Sequence, residues 1–265
     1  MNDQNTETQQ SGATPITGSM FLYQQPELLT EKDHGHLGLT PQQNPFEHVR
    51  NERVIPLTLT EFGSAQRHFP IIFSSTDGRA VPLAVVGIAD GENLFVDDAG
   101  EWDPMVYVPS YLRCYPFAFA RVAEDRMAAV IDRAASSVRE NPQFPFFEGG
   151  KPTEHTDQMM QFCTQYETER NRTREFCETL GELGLLTAQQ ATHKQPGADE
   201  PVPLAEYNSI DAGKLTELAG DKITEFHRNG TLSAMYLQLY SIENWRHLMA
   251  RRVRREIQAR GNGRA

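Results

Sequence analysis

The chain has 265 residues, is 38% hydrophobic and carries a formal net charge of −11. That length fits one large domain or two small ones, and the modest apolar content leaves part of the chain outside any core. The acidic balance argues against nucleic acid as a general partner.

The charge is uneven. From Arg246 to the last residue there are seven Arg and one Glu, which leaves −17 on the preceding 245 residues. An Arg-rich end reads first as a solvated helix terminus whose cations complement the helix dipole. A contact element for a protein partner is the alternative. The three cysteines, Cys114, Cys163 and Cys177, form no C-x-x-C pair, so no zinc site of the usual spacing is expected. Cys163 and Cys177 fall on one predicted helix roughly 21 Å apart, too far for a bridge. Reduced thiols and a polar N-terminus without an apolar core segment point to the cytoplasm. The longest apolar runs are about six residues, against about twenty for a membrane span.

Residues 1–19 are rich in Gln, Thr, Asn and Ser and read as a disordered tail. Met20–Leu22 is a candidate opening strand, and Glu31–Leu39 reads as a polar loop. From Arg53 the pattern turns β-like. Pro56 interrupts the first apolar run, which suits an edge strand. The stretch from Thr60 to His68 reads as a helical turn capped by Thr60. Phe69–Phe73 and Val81–Ile88 form a hairpin about Asp77-Gly78. Asn93–Val96 reads as a third strand. Cys114–Ala120 and Met127–Asp132 read as two more, joined at Ala123–Arg126. The connections are too short for crossover helices, so the pattern is an antiparallel meander.

Residues 139–152 form a proline-rich loop, with Phe146 and Phe147 pinning it to the body. The period then changes. Met159, Phe162, Cys163, Tyr166, Arg170, Thr173, Phe176, Cys177 and Leu180 recur at three and four residues, which predicts a helix from near Thr156 to Gly181 or Gly184. Leu185–Thr192 and Val202–Tyr207 pair as a second small hairpin. Asp211 caps a short helix, and another ends at Asn229-Gly230. A final helix runs from Thr231 to about Ala259 with a break near Ser241. The fold class that follows is α+β: an antiparallel β-sheet meander in the N-terminal half packed against C-terminal helices and a small hairpin. Residues 20–260 read as a single domain, β-rich over 50–135 and helix-rich over 154–260.

The sharp catalytic motifs are missing: no phosphate-binding glycine loop, no G-x-S-x-G elbow and no H-E-x-x-H helix occur. The positive signal is a run of rings and prolines, with Trp102, Tyr107, Tyr111, Arg113 and Tyr115 spaced by Pro104, Pro109 and Pro116. In an extended segment, 107, 111, 113 and 115 share one side. Such a face stacks a planar group or holds a carboxylate with two bonds. The plainer reading is that the rings fill a seam and Arg113 pairs with a buried acid. His68 is the best-placed general base. His34 and His36 are two imidazoles without a third ligand, and the acids Asp97, Asp98, Glu101 and Asp103 lack the spacing of a calcium loop. The expectation is therefore no catalytic residue assigned, no metal, no cofactor, and ligand contact through Trp102, Tyr107, Tyr111, Arg113, Tyr115 and His68.

Several of these stretches go together. His68–Phe73 (H-F-P-I-I-F), Pro82–Ile88 (P-L-A-V-V-G-I), Glu92–Trp102 (E-N-L-F-V-D-D-A-G-E-W) and Tyr107–Phe117 (Y-V-P-S-Y-L-R-C-Y-P-F) are followed by A-G-K-L-T-E-L and H-R-N-G-T-L-S-A-M-Y-L-Q-L-Y-S-I-E-N-W-R-H-L. In this order, from about Met20 to Arg251, they resemble the bacterial SapC family, not the peptide-transport permease that shares the name. The family pattern usually has two arginines before Tyr-Pro-Phe, and here the second is Cys114, which puts a role needing both guanidinium groups in question. The resemblance implies an association with the bacterial surface layer or with nutrient uptake, since its members are often encoded beside outer-membrane receptors and oxygenase-like genes. It implies no catalytic mechanism.

Three functions follow as expectations. The first is a non-catalytic binding or accessory protein in a cell-envelope or nutrient-uptake pathway, taking a small molecule or peptide. The second is a peptide- or amino-acid-tailoring enzyme with His68 as base. The third is a structural component of the surface layer, which cell fractionation would expose by finding the protein outside the cytosol.

Overall fold

The computed structural model describes residues 20–76, 79–123, 126–193 and 200–262. The expected tail, the Asp77-Gly78 turn and part of two other connections lie outside these residues.

The chain opens on a turn, not a strand. Leu22 has φ 71°, and the Tyr23 amide donates back to the Met20 carbonyl at 3.2 Å, so the expected strand at Met20–Leu22 moves to β1, Pro26–Leu28. The expected polar loop after it is ordered too. Thr30 accepts a bond from the Asp33 amide and caps α1, Glu31–His34, and β2 follows at Leu37–Leu39. β3 is Val54–Pro56. The next helical turn is capped two residues earlier than expected, by Thr58 with Glu61 in a capping box, not by Thr60. It leads into α2, Phe62–Ala65. β4, Ile71–Thr76, pairs antiparallel with β5, Arg79–Val85.

Asn93–Val96 is not a strand. The Asn93 side chain accepts from the Phe95 amide and donates to the Val49 carbonyl, locking a polar turn that leaves an isolated bridge between Val96 and Trp102. The ring-and-proline segment is not extended either. Ser110–Cys114 forms α3, which ends where Tyr115 turns extended ahead of Pro116. β6, Phe117–Ala123, and β7, Arg126–Asp132, form a hairpin. The expected loop over 139–152 contains β8, Val138–Glu140, β9, Phe144–Pro145, β10, Phe147–Glu148, and β11, Lys151–Pro152. Phe146 is its buried pin, while Phe147 is only half-buried.

The helix-rich part follows its periodicity. α4 runs from Glu154 to Glu182 and is followed by Gly184 at φ 62°. β12, Leu186–His193, and β13, Val202–Ile210, form the hairpin. Asp211 caps α5, Ala212–Thr216, and α6, Gly220–Asn229, ends at Gly230 with φ 83°. The break near Ser241 separates α7, Thr231–Ser241, from α8, Asn244–Asn262.

The strands are all paired antiparallel, and the fold is α+β, with helices concentrated in the C-terminal half. Among the described residues the strands do not form one meander. They divide into sheets ordered β1-β7-β6, β8-β2-β9, β10-β11 and β12-β13-β4-β5-β3. The expected small hairpin β12–β13 is the outer part of the five-stranded sheet, and β3 with Pro56 is its other edge, as the proline demanded.

The chain divides into two compact units, residues 1–40 with 116–161, and residues 41–115 with 162–265. In the first, Asp132 is fully buried and its carboxylate accepts from the amides of Gln24, Gln25 and Ala134. Tyr23 donates to the Phe117 carbonyl at 2.6 Å, and Phe117 meets Phe146 edge-on. In the second, β4 and β13 meet through Phe73 and Asn208. Where they diverge, the buried Gln238 of α7 stands in for the ladder. Its amide donates to the Ile71 carbonyl at 2.8 Å and accepts from the Ile210 amide at 3.2 Å. Phe176 of α4 packs edge-on against Phe62 of α2, and the Thr173 hydroxyl accepts from the Leu59 amide. Burying a large apolar side chain of this kind stabilises by about 2–3 kcal/mol before entropy is counted.

Candidate functional site

All six expected ligand residues lie in the second unit. The structure sorts them into separate settings. Tyr107, Tyr111 and Arg113 lie around Glu61, α3 and α4. Tyr115 stacks on His48 at 4.1 Å between centroids, nearly parallel. Trp102 and His68 belong to a cluster held by α8.

The first setting is built on Glu61, 5% exposed. The capping box orients it. One carboxylate oxygen accepts from the Thr58 amide and hydroxyl, each at 2.8 Å. The other accepts from the Tyr107 hydroxyl at 3.0 Å and from the Ser110 amide at 2.7 Å. Four donors on one buried carboxylate satisfy it internally. The same bonds tie the start of α3 to α2. Burial and the Glu61 charge both push the Tyr107 phenol above its ordinary value, so it stays a donor. Tyr107 is thereby a fixing group for Glu61 and not an open ligand contact.

α3 puts Tyr111 and Arg113 on different sides, because adjacent-but-one residues of a helix are about 200° apart. Tyr111 is half-buried, with its ring 6.0 Å from that of Tyr166 on α4, and burial raises both phenols. Arg113 is exposed, with its guanidinium 4.6 Å from the centre of the Phe162 ring. Among the described residues it makes no ion pair, so the buried acid expected for it is absent. Leu112 and Cys114 point inward instead. The hydrogen bond with Cys163, followed by burial, pushes the Cys114 thiol up and keeps it protonated.

The second setting depends on the Arg-rich end, which is not simply solvated. Arg251 pairs with Asp103 at 2.8 Å and lies 4.4 Å from the centre of the Phe95 ring. Arg255 donates to the carbonyls of Asn93 and Val96. Arg252 lies 3.9 Å from Glu92. Three arginines of α8 therefore clasp the 92–103 loop. Beneath them Trp102, 6% exposed, stacks on Phe95 and meets Phe69 and Phe46. Its indole donates to the Val106 carbonyl at 3.3 Å, so Trp102 is core and not an open stacking platform. His68 is half-buried beside this cluster. Burial, then Arg251 and Arg67, lower its basicity, against the opposing pull of Asp103. Burial works against the Asp103 charge, but the Met105 amide and Arg251 outweigh it and hold that carboxyl below its ordinary value.

Glu61, Asp103, Arg251 and Tyr166 were missed as participants. Thr58-x-x-Glu61 carries the capping-box spacing and was readable. The others had no local signal. His34 and His36 are not brought together: His34 is buried on Glu27 at 3.2 Å, and His36 lies 4.0 Å from Glu140. Among the described residues no group of three or more His, Cys, Asp or Glu is placed to hold a metal ion, and no helix is long and apolar enough to cross a membrane. An open groove of about 630 Å³ runs along α6, lined by Gly220, Asp221, Thr224, Glu225, Arg228 and Asn229. None of the six expected residues lines it.

Neither the curated proteins nor the solved structures give a match to this chain. The SapC family pattern matches residues 29–248. That span takes in the capping box, α3, the clasped loop and most of the helices. The chain belongs to the SapC family.

Proposed function

We propose that this SapC-family chain is a non-catalytic binding or accessory protein of the cytoplasm, serving a cell-envelope or nutrient-uptake pathway. Its ligand is a small molecule or peptide bearing a carboxylate. The observation that carries this reading is Arg113, an exposed guanidinium backed by the Phe162 ring and making no ion pair among the described residues. A planar donor fork held over a ring suits bidentate capture of a carboxylate. The Phe162 ring beneath the guanidinium supplies the apolar contact. The exposed Arg254 and Arg260 of α8 are left for a protein partner.

Native mass spectrometry of the full chain tests this directly. The expected result is a reproducible added mass that is lost in Arg113→Ala and kept in Arg246→Ala. Retention of the same mass in Arg113→Ala would place the ligand elsewhere.

A second reading has one specific observation in its favour. Burial and two arginines keep His68 neutral, the form a general base needs. On this reading the bound molecule is chemically altered by the wild-type chain and only bound by His68→Asn. Identical unaltered ligand from both chains would end it.

A further inference from the structure

The five-stranded sheet of the second unit ends on one side at the short, proline-bearing β3 and on the other at the eight-residue β12. The Asp211 amide donates to the Leu185 carbonyl at 2.8 Å. In an antiparallel ladder this fixes the alternation. Thr187 and Gln189 turn their backbone groups toward β13, and Leu186, Ala188 and Gln190 turn theirs away. Among the described residues nothing pairs with those outward groups. α8 packs on a face of the hairpin. Its Trp245 ring packs 5.6 Å from Tyr207, which is the register partner of Gln189.

Folded proteins blunt an open edge of this length with lysine, proline or an inward charge. β12 reads Leu-Thr-Ala-Gln-Gln-Ala-Thr-His and has none of these. Its one irregularity is the register shift between Ala191 and Thr192.

We propose that β12 pairs antiparallel with the β12 of a second copy of this chain, joining two five-stranded sheets across a two-fold axis. An antiparallel edge is complementary to itself under that symmetry. Charge narrows where two copies can meet. Two chains of net charge −11 repel over most approaches, whereas β12 is a strip without Asp, Glu, Lys or Arg along which they can meet. A register centred on Ala188 sets Leu186 against Gln190 of the other copy. One centred on Gln190 sets Ala188 against Thr192. Neither opposes like charges, which destabilise cross-strand pairs. A strand-sized contact is small, so the dimer is weak, with Kd in the range of about 1–100 μM.

Sedimentation equilibrium of the full chain between about 1 and 300 μM tests the proposal. A reversible monomer–dimer equilibrium is expected. Gln190→Pro removes an amide that β13 does not use, so it weakens the dimer at least about tenfold while leaving the β12–β13 ladder intact. Gln190→Lys places two cations near the axis and weakens it likewise, most at low salt, and it decides the matter if the proline variant fails to fold. A wild-type chain monomeric throughout that range, its edge left for an extended segment of another protein, overturns the proposal. So does a dimer that both folded variants leave unchanged.

Discussion

Glu61→Gln is the sharpest probe of the way α3 is held. The carboxylate takes two donors on each oxygen, and each pair combines one hydroxyl with one backbone amide. Glutamine keeps one oxygen and replaces the other with an NH2. The hydroxyl facing that NH2 can rotate and accept from it. The amide facing it, of Thr58 or Ser110, cannot. One buried amide is stranded, at about 1–3 kcal/mol, and the two retained bonds lose their charge assistance, about 1 kcal/mol each. Relief of the buried charge offsets part of this, leaving a net loss of about 3 kcal/mol. Urea unfolding followed by circular dichroism reads it as a lower midpoint at unchanged slope. Tyr107→Phe removes a single donor and costs about 1 kcal/mol. Because both changes act on the same carboxylate, the double variant falls short of the sum by at least about 0.5 kcal/mol. A loss below about 1 kcal/mol for Glu61→Gln, or strict additivity with Tyr107→Phe, refutes the idea that this carboxylate organises the segment.

Three further outcomes follow. Arg255→Met removes both bonds to the carbonyls of Asn93 and Val96, so amide hydrogen exchange speeds up across residues 92–103 by at least about tenfold while β4 and β5 stay protected. Folded His68 resists a proton that the unfolded residue takes up near its ordinary 6.5, so stability is full above that pH, declines as pH falls below it and levels off under the folded value. His68→Asn flattens that window in a pH series of melts, whereas the contribution of Asp103 is lost only below the ordinary carboxylate value of 3.8. Finally, all three cysteines are buried and none is in a disulfide, with burial pushing Cys177 up to about 12. Ellman's reagent should find no fast-reacting thiol in the native chain and three after denaturation, and a fast native thiol would contradict the packing of α4.

How far the sequence reaches can be judged element by element. The three- and four-residue spacing from Met159 to Leu180 gave α4 nearly to its ends, and Gly184 and Gly230 mark stops that need positive φ. Asp211 and the break near Ser241 were equally plain. These signals are local: a cap or a period acts through residues within a turn or two. Strand partners were not legible in the same way. Phe117–Ala123 and Ile71–Thr76 carry similar apolar patterns yet join different sheets, because a period of two says which side is buried and not which edge is adjacent. α3 was lost for another reason. The alternate spacing of the rings suits an extended segment, yet Pro109 precedes the first helical residue and Pro116 follows the end, the two places where a helix tolerates proline.

The candidate site divides along the same line. Arg113 as a cation between tyrosines was readable in the sequence, but its exposed place over the Phe162 ring was not. That Tyr107 is committed to Glu61, 46 residues away, and that Arg251 and Arg255 reach back 148 and 162 residues to Asp103 and Asn93, was not. An arginine run looks solvated until a distant loop brings carbonyls and a carboxylate to it. The chain's own pattern determined the α+β class, the C-terminal helices, the Asp211 cap and the Gly230 stop. Only tertiary contact decided which charges are spent inside the fold and which remain exposed, since pairing energy depends on separation in space and not along the chain.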